Sequence, residues 1–190
     1  MNLSDYRNIK IAFFDIDGTM IDIGSRKITP KMLETLSGLQ KNGIRICIAT
    51  GRPPAILPQF PGIEFDAYLT FNASYCYTKN EVIFRNPIPA ADVQTVIRNA
   101  SKIQRPLALA GASRMGANGS DKDLADYFAI SRHKLEIIDD FDELAREEIF
   151  QIMIGCRENE YASILEDVKG ARITAWWDRA ADIISATGSK

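Results

Sequence analysis

An apolar-rich run, Ile9 to Phe14, stops abruptly at Asp15-Ile16-Asp17-Gly18-Thr19, and this junction constrains the chain more than any other segment. Hydrophobicity without alternation suits a strand buried in a parallel sheet better than one half exposed to water. Thr29 then offers a helix N-cap and Pro30 the first helical position. Met32, Leu33, Leu36 and Leu39 mark one helical face, and Gly43 stands just past its end. Ile44 to Ala49 is a second apolar strand, closed by Thr50-Gly51-Arg52-Pro53. Strand–helix–strand crossovers are right-handed, so Asp15 and Thr50 fall on one edge of a parallel sheet. Open α/β sheets bind ligands at that carboxyl edge. Ala67 to Phe71 reads as a third strand whose end presents Asn72.

The pattern changes after Tyr77. Glu81 to Arg85 alternates like a strand beside water, and a helical run follows from Ala90 to Gln104. Strands are expected at Leu107 to Ala110, Glu148 to Cys156 and Arg172 to Trp177. Helices are expected from Ser120 or Asp121 to Phe128 and from Glu158 to Val168. The alternation of half-polar strands with helices predicts a second, antiparallel-leaning α+β unit. The expected boundary between the two units falls near Tyr77 and Thr78.

Composition narrows the chemistry. Apolar residues make up 46% and charged residues 25% of the 190, the balance of a globular chain. A net charge of −2 gives no whole-surface attraction to nucleic acid or anionic lipid. No apolar stretch approaches the roughly 18 residues of a membrane span. Met1 to Lys10 is polar and mixed in charge, unlike a signal peptide. Cys47, Cys76 and Cys156 never form a Cys-x-x-Cys pair and read as reduced thiols of a cytoplasmic protein. His133, the only histidine, lies in the charged stretch Ser131-Arg132-His133-Lys134 and reads as a surface residue. Sites needing two or three histidines, including the usual catalytic zinc sets, are excluded. Chemistry must run mainly on carboxylates, hydroxyls and lysines.

Two carboxylates two residues apart at a strand end can face one cavity, where both stay charged comfortably only beside a cation. Their hard oxygens suit Mg²⁺. A calcium loop is rejected by spacing, because Gly18 is fourth rather than sixth and the twelfth position is Arg26 rather than Glu. A solvated turn capping the next segment remains the plain alternative. Thr50-Gly51-Arg52 brings a hydroxyl, a free amide and a cation to the neighbouring strand end. Pro53 and Pro54 suit a helix start, which favours phosphate, although an ordinary strand-to-helix turn uses the same residues. Gly111-x-x-x-x-Gly116 has P-loop spacing, but Ala117 and Asn118 replace the required Lys and Ser/Thr. It reads as a flexible loop.

Phe13-Phe14-Asp15-Ile16-Asp17-Gly18-Thr19 followed by Ala49-Thr50-Gly51-Arg52 resembles motifs I and II of the haloacid-dehalogenase-like hydrolases. The likeness is strongest to the Cof-type subfamily with a subclass IIB α/β cap. Phe71-Asn72-Ala73-Ser74 resembles that subfamily's Asn-Gly-Ala segment, with Ala73 in place of Gly. Ala181-Asp182-Ile183-Ile184 through Gly188-Ser189-Lys190 resembles the run ending in the motif III lysine.

The resemblance implies a Rossmann-like parallel sheet core of residues 1–77 plus 182–190 with an inserted α+β cap of residues 78–181, and a Mg²⁺-dependent phosphatase working through an aspartyl-phosphate. Asp15 would be the nucleophile and Asp17 the general acid and base, while Lys190 would neutralise the cluster. Mg²⁺ would sit on the Asp15 carboxylate and the Asp17 carbonyl. Thr50 and Gly51 would hold phosphoryl oxygens, Arg52 and Asn72 would meet phosphate or substrate, and Thr19 would steady Asp17. The implied substrate is a small phosphorylated metabolite, such as a sugar phosphate or cofactor phosphate. Ser113, Arg114, Asn118, Trp176 and Trp177 are the cap residues expected to select it. The resemblance places an acidic Gly-Asp motif IV some tens of residues after the motif III lysine, and the sequence stops at Lys190. Impaired turnover is therefore expected of these residues alone, the alternative being a non-catalytic module that binds Mg²⁺, phosphate or a partner. An uncovered core edge at Ile9 to Phe14 would favour a homo-dimer.

Overall fold

A computed structural model of the chain describes residues 9–22, 27–130 and 133–187. It divides into two compact units, one of Met1–Arg52 and Leu57–Arg85, the other of Pro53–Ile56 and Asn86–Lys190.

The first unit is built on a five-stranded sheet in the order β1-β2-β3-β4-β5. Strand β1 (Ile11–Phe14) leads through helix α1 (Pro30–Lys41) to β2 (Arg45–Ala49), then β3 (Ala67–Thr70), β4 (Tyr75–Tyr77) and β5 (Val82–Arg85). The first three strands are parallel and the last two antiparallel. The Thr29 hydroxyl caps α1 by accepting the Met32 N–H at 3.2 Å. Gly43, at φ 76°, lets the chain reverse into β2. Leu36 on α1 packs with Ile46 and Ile48 of β2 and with Ile16, Met20, Phe60 and Phe65.

Strand β1 departs from the buried strand expected of its composition. It pairs only with β2 among the described residues, and Ile11 and Phe13 are 45% and 53% exposed. An apolar run reports burial only where something covers both faces, and the described residues cover one.

The second unit holds an antiparallel sheet in the order β7-β6-β8-β10-β9. Its strands are β6 (Leu107–Gly111), β7 (Met115–Ala117), β8 (Ile149–Gly155), β9 (Ala171–Trp177) and β10 (Ala180–Ser185). Helices α2 (Ala90–Lys102), α3 (Lys122–Ile130), α4 (Phe141–Leu144) and α5 (Tyr161–Ile164) complete it. Every residue of β6, β8 and β10 is buried. Val93, Val96, Leu107, Ile152, Ile154 and Ile183 lie in its core.

Four sequence expectations need correction. Residues 78–85 stay with the first unit, because β5 closes the antiparallel edge beside β4. Residues 182–185 belong to the second unit, because β10 pairs on both sides with β8 and β9. The helix expected through Val168 ends at Ile164. There the Asn99 side-chain amide of α2 donates to the carbonyls of Ile164 and Glu166 at 3.1 and 2.8 Å, and Asp167 turns to φ 60°. Gly111 to Gly116 is not a loose loop but the β6–β7 hairpin, closed by Gly111 N–H donating to the Arg114 carbonyl at 2.9 Å.

Candidate active site

Three parallel strands of the first unit end side by side. Phe14 of β1 is in register with Ile48 of β2, and Ala49 of β2 with Leu69 of β3. Asp15, Thr50 and Asn72 therefore follow the carboxyl ends of adjacent strands. Past β1, Asp15 and Asp17 are exposed and Ile16 is completely buried between them. The buried isoleucine fixes the backbone and leaves both carboxylates free of the core. The loop then tightens, with the Ile16 carbonyl accepting the N–H groups of Met20 and Ile21 at 3.1 and 2.9 Å. Gly18, at φ 79°, makes that turn and donates its N–H to the Ile21 carbonyl at 2.9 Å. Thr19 is exposed on the same turn.

Pairing of β2 with β3 runs on past both strands. Thr50 donates its N–H to the Leu69 carbonyl at 2.8 Å, and its own carbonyl accepts the Asn72 N–H at 3.1 Å. The Thr50 side chain is buried and its hydroxyl oxygen accepts the Arg52 N–H at 3.2 Å. Gly51 allows Asn72 to come close, since a Cβ there would lie 3.1 Å from Asn72 Oδ1. Phe71, Asn72 and Ala73 have φ of 51°, 53° and 66°, three left-handed residues in succession. Each such non-glycine conformation costs about 1–2 kcal/mol. Strain of this kind concentrates where a turn must aim a side chain.

Arg52 joins the two loops. Its Nε donates to Asp17 Oδ2 at 2.8 Å and its Nη2 to Asp17 Oδ1 at 2.7 Å. Thus Asp17, Thr50, Arg52 and Asn72 are linked by contacts, and Asp15 stands at the adjoining strand end. Lys190 lies outside the described residues. Among the described residues no three His, Cys, Asp or Glu side chains converge as a metal-binding group. The oxygen donors at hand, the Asp15 carboxylate and the Asp17 carbonyl, suit a small hard cation in kind.

The second unit has a cavity of about 290 Å³ lined by Ala108, Arg114, Met115, Phe128 and His133, among others. No residue of the two aspartate and threonine motifs lines it. Of the expected cap candidates only Arg114 does, and its guanidinium is held by Asp140 and Glu147. Asn118 serves the fold, its Oδ1 accepting the Leu107 N–H at 2.9 Å. Ser113 and Trp176 are exposed, while Trp177 packs under the Arg179 guanidinium, 4.8 Å from its ring centre. His133, half-buried, is among the residues that line the cavity. Pro53 and Pro54 open only a single 3-10 turn, Pro54–Ile56, rather than a helix able to bind phosphate at its start.

A parallel sheet presenting an Asp-x-Asp turn, a threonine and an asparagine at its carboxyl edge defines a hydrolase of the haloacid dehalogenase type. The sequence profile of the haloacid dehalogenase-like hydrolases matches residues 12–190, and the chain belongs to that family. It is 27% identical to the putative phosphatase YkrA of Bacillus subtilis (strain 168), over 95% of this chain and 70% of that protein. It is also similar to the solved structure of BT4131, a subclass IIB sugar phosphatase. There the TM-score is 0.78 and the identity 25%, with 95% of this chain and 71% of the other covered. BT1666 of Bacteroides thetaiotaomicron shares the fold at a TM-score of 0.82 and 23% identity, covering all of this chain and 71% of its own.

Proposed function

We propose that the protein hydrolyses a small phosphomonoester through a phosphorylated Asp15. One observation carries the reading: Asp15 and Asp17 are exposed about a buried Ile16, at the end of a parallel strand beside Thr50. An Asp15 carboxylate oxygen attacks phosphorus in line, and the phosphorus–oxygen bond to the alcohol breaks. Asp17, which must begin the cycle protonated, gives the leaving oxygen a proton, then takes one from the water that attacks phosphorus. The bond to Asp15 breaks, and phosphate leaves with the carboxylate restored.

The Asp15 carboxylate and the Asp17 carbonyl would hold Mg²⁺, which when bound would supply positive charge to offset the anionic nucleophile and phosphate. The Thr50 hydroxyl, the Gly51 amide and Asn72 hold phosphoryl oxygens in place, and Lys190 adds a fixed positive charge. Thr19 steadies the Asp17 turn. The resemblance to a sugar phosphatase supports a sugar phosphate as the substrate class. Three free cysteines, two of them buried, support a reducing cytoplasm as the setting. No helix among the described residues is long and apolar enough to cross a membrane. Exposed Ile9, Ile11 and Phe13 along β1 support pairing with a second copy, which light scattering over a concentration series tests.

The functional reading is tested by hydrolysis of p-nitrophenyl phosphate. Turnover should require Mg²⁺ and vanish in Asp15→Asn. Full activity in excess chelator, or an active Asp15→Asn variant, would exclude the covalent path.

A further inference from the structure

We propose that the cavity of the second unit binds a free α-amino acid with an apolar side chain, at a site that shares no residue with the aspartate and threonine motifs. Its volume is about 290 Å³. At about 30 Å³ for each water-sized group, it has room for roughly ten, the size of a small organic molecule. Apolar wall comes from three elements, with Ala108 on β6, Met115 on β7 and Phe128 on α3. Apolar walls with a few fixed polar groups are the usual make-up of a small-molecule site.

The polar groups lie on a segment whose backbone is pinned. His133 donates its N–H to the Phe128 carbonyl at 3.0 Å, and the Glu136 carbonyl accepts the Ala117 N–H at 2.8 Å. Ile138 donates its N–H to the Ala117 carbonyl at 3.1 Å, and a Cβ on Gly116 would run into the Ile138 side chain. The segment therefore lies directly against β7, and little ordering of its backbone is left for a ligand to impose. Lys134 and Glu136 line the cavity and are exposed on either side of half-buried Leu135. Neither is in an ion pair among the described residues. Arg114 lines it too, but its charge is met by Asp140 and Glu147. The cavity thus offers one ammonium and one carboxylate of its own. A phosphate or other plain anion would be drawn to Lys134 and repelled by Glu136. A zwitterion answers both charges. An α-amino acid carries its carboxylate and ammonium on one carbon and leaves its side chain for the wall. That side chain must be apolar, because a polar one would give up water there without a partner.

The test is calorimetric titration of the full chain with L-leucine, with the Met115 methyl signal followed by NMR. Saturable one-to-one binding that moves this signal is expected. Isocaproate, which lacks the ammonium, and leucinamide, which lacks the carboxylate, should each bind about tenfold more weakly. Lys134→Gln should weaken leucine about tenfold and leave leucinamide unchanged, since the group it served is already gone. Glu136→Gln should do the same for leucine and leave isocaproate unchanged. Both side chains are exposed, so melting temperatures should stay at the wild-type value. Absence of saturable binding by leucine, methionine and phenylalanine at millimolar concentration would overturn the inference. Isocaproate binding as tightly as leucine would overturn the zwitterion. Leucine binding unmoved by both substitutions, or without a shift at Met115, would overturn the location. None of these measurements depends on turnover, so the result stands or falls apart from the phosphatase reading.

Discussion

Tyr127 donates its hydroxyl to Asp182 Oδ1 at 2.6 Å inside the second unit, joining α3 to β10 through a carboxyl that has almost no access to water. Burial pushes the Asp182 carboxyl above the ordinary carboxylate range, against hydrogen bonds from Tyr127, Gln151 and Trp176 that pull it down. Burial, with the nearby Asp182 charge, also raises the Tyr127 hydroxyl well above its usual value. A group whose folded pKa is raised stabilises the fold below its unfolded pKa. That stability fades as pH rises through the folded value.

Asp182→Asn should therefore remove a loss of stability that begins near pH 4, the unfolded carboxylate value, and ends at the raised folded one. Above that window the variant should be at least as stable as wild type, since the amide keeps an oxygen for Tyr127 and drops the buried charge. Urea unfolding as a function of pH measures this. A variant that keeps the wild-type pH slope would show that Asp182 does not titrate differently on folding.

The opposite sign applies to the charged cluster around Asp123. Burial works to raise its pKa, but hydrogen bonds from Arg157 and Arg179 outweigh it and leave it lowered. Hydrogen bonds from Arg105 lower Glu160 likewise, despite desolvation. Carboxylates with depressed folded values stabilise above about pH 4 and lose that contribution as pH falls through the folded value. The second unit should melt earlier as pH drops below about 4, and Asp123→Asn should flatten that fall. The Asp123 side chain is only 12% exposed, so added salt should weaken the effect little. Thermal melts across acid pH in low and high salt check both statements.

Ala73 occupies φ 66° at the end of a left-handed run. Ala73→Gly removes a strain of about 1–2 kcal/mol and adds unfolded-chain entropy of about 0.5–1 kcal/mol. A net gain between about 0 and 1.5 kcal/mol in denaturant unfolding is expected. Destabilisation would show that the turn relaxes around alanine without strain.

Gly51→Ala should disturb Asn72 and leave the fold almost intact. The new Cβ would stand 3.1 Å from Asn72 Oδ1, so the amide must move by a few tenths of an ångström. KM for p-nitrophenyl phosphate should rise severalfold with little change in melting temperature. Unchanged KM would mean that Asn72 does not touch the phosphoryl group.

Much of the first unit was legible because its signals are local. Thr29, Pro30 and Gly43 mark the ends of α1 through their own backbone chemistry. Asp15-Ile16-Asp17 reveals its two-sided alternation in three letters. The second unit was legible in its strands and less so in its limits. Nothing near Val168 in sequence shows that Asn99, more than sixty residues away, takes the carbonyls that would have continued the helix. The same applies to β5 and β10, whose allegiance depends on which strands lie beside them. Local residues determined what each segment could be and which side chains could do chemistry. Tertiary structure alone decided that Arg52 turns to Asp17, that Asp182 is sealed beneath Tyr127, and that Ile11 and Phe13 face outward. Pairing, desolvation and exposure are properties of neighbours distant in sequence, and only the folded chain brings those neighbours together.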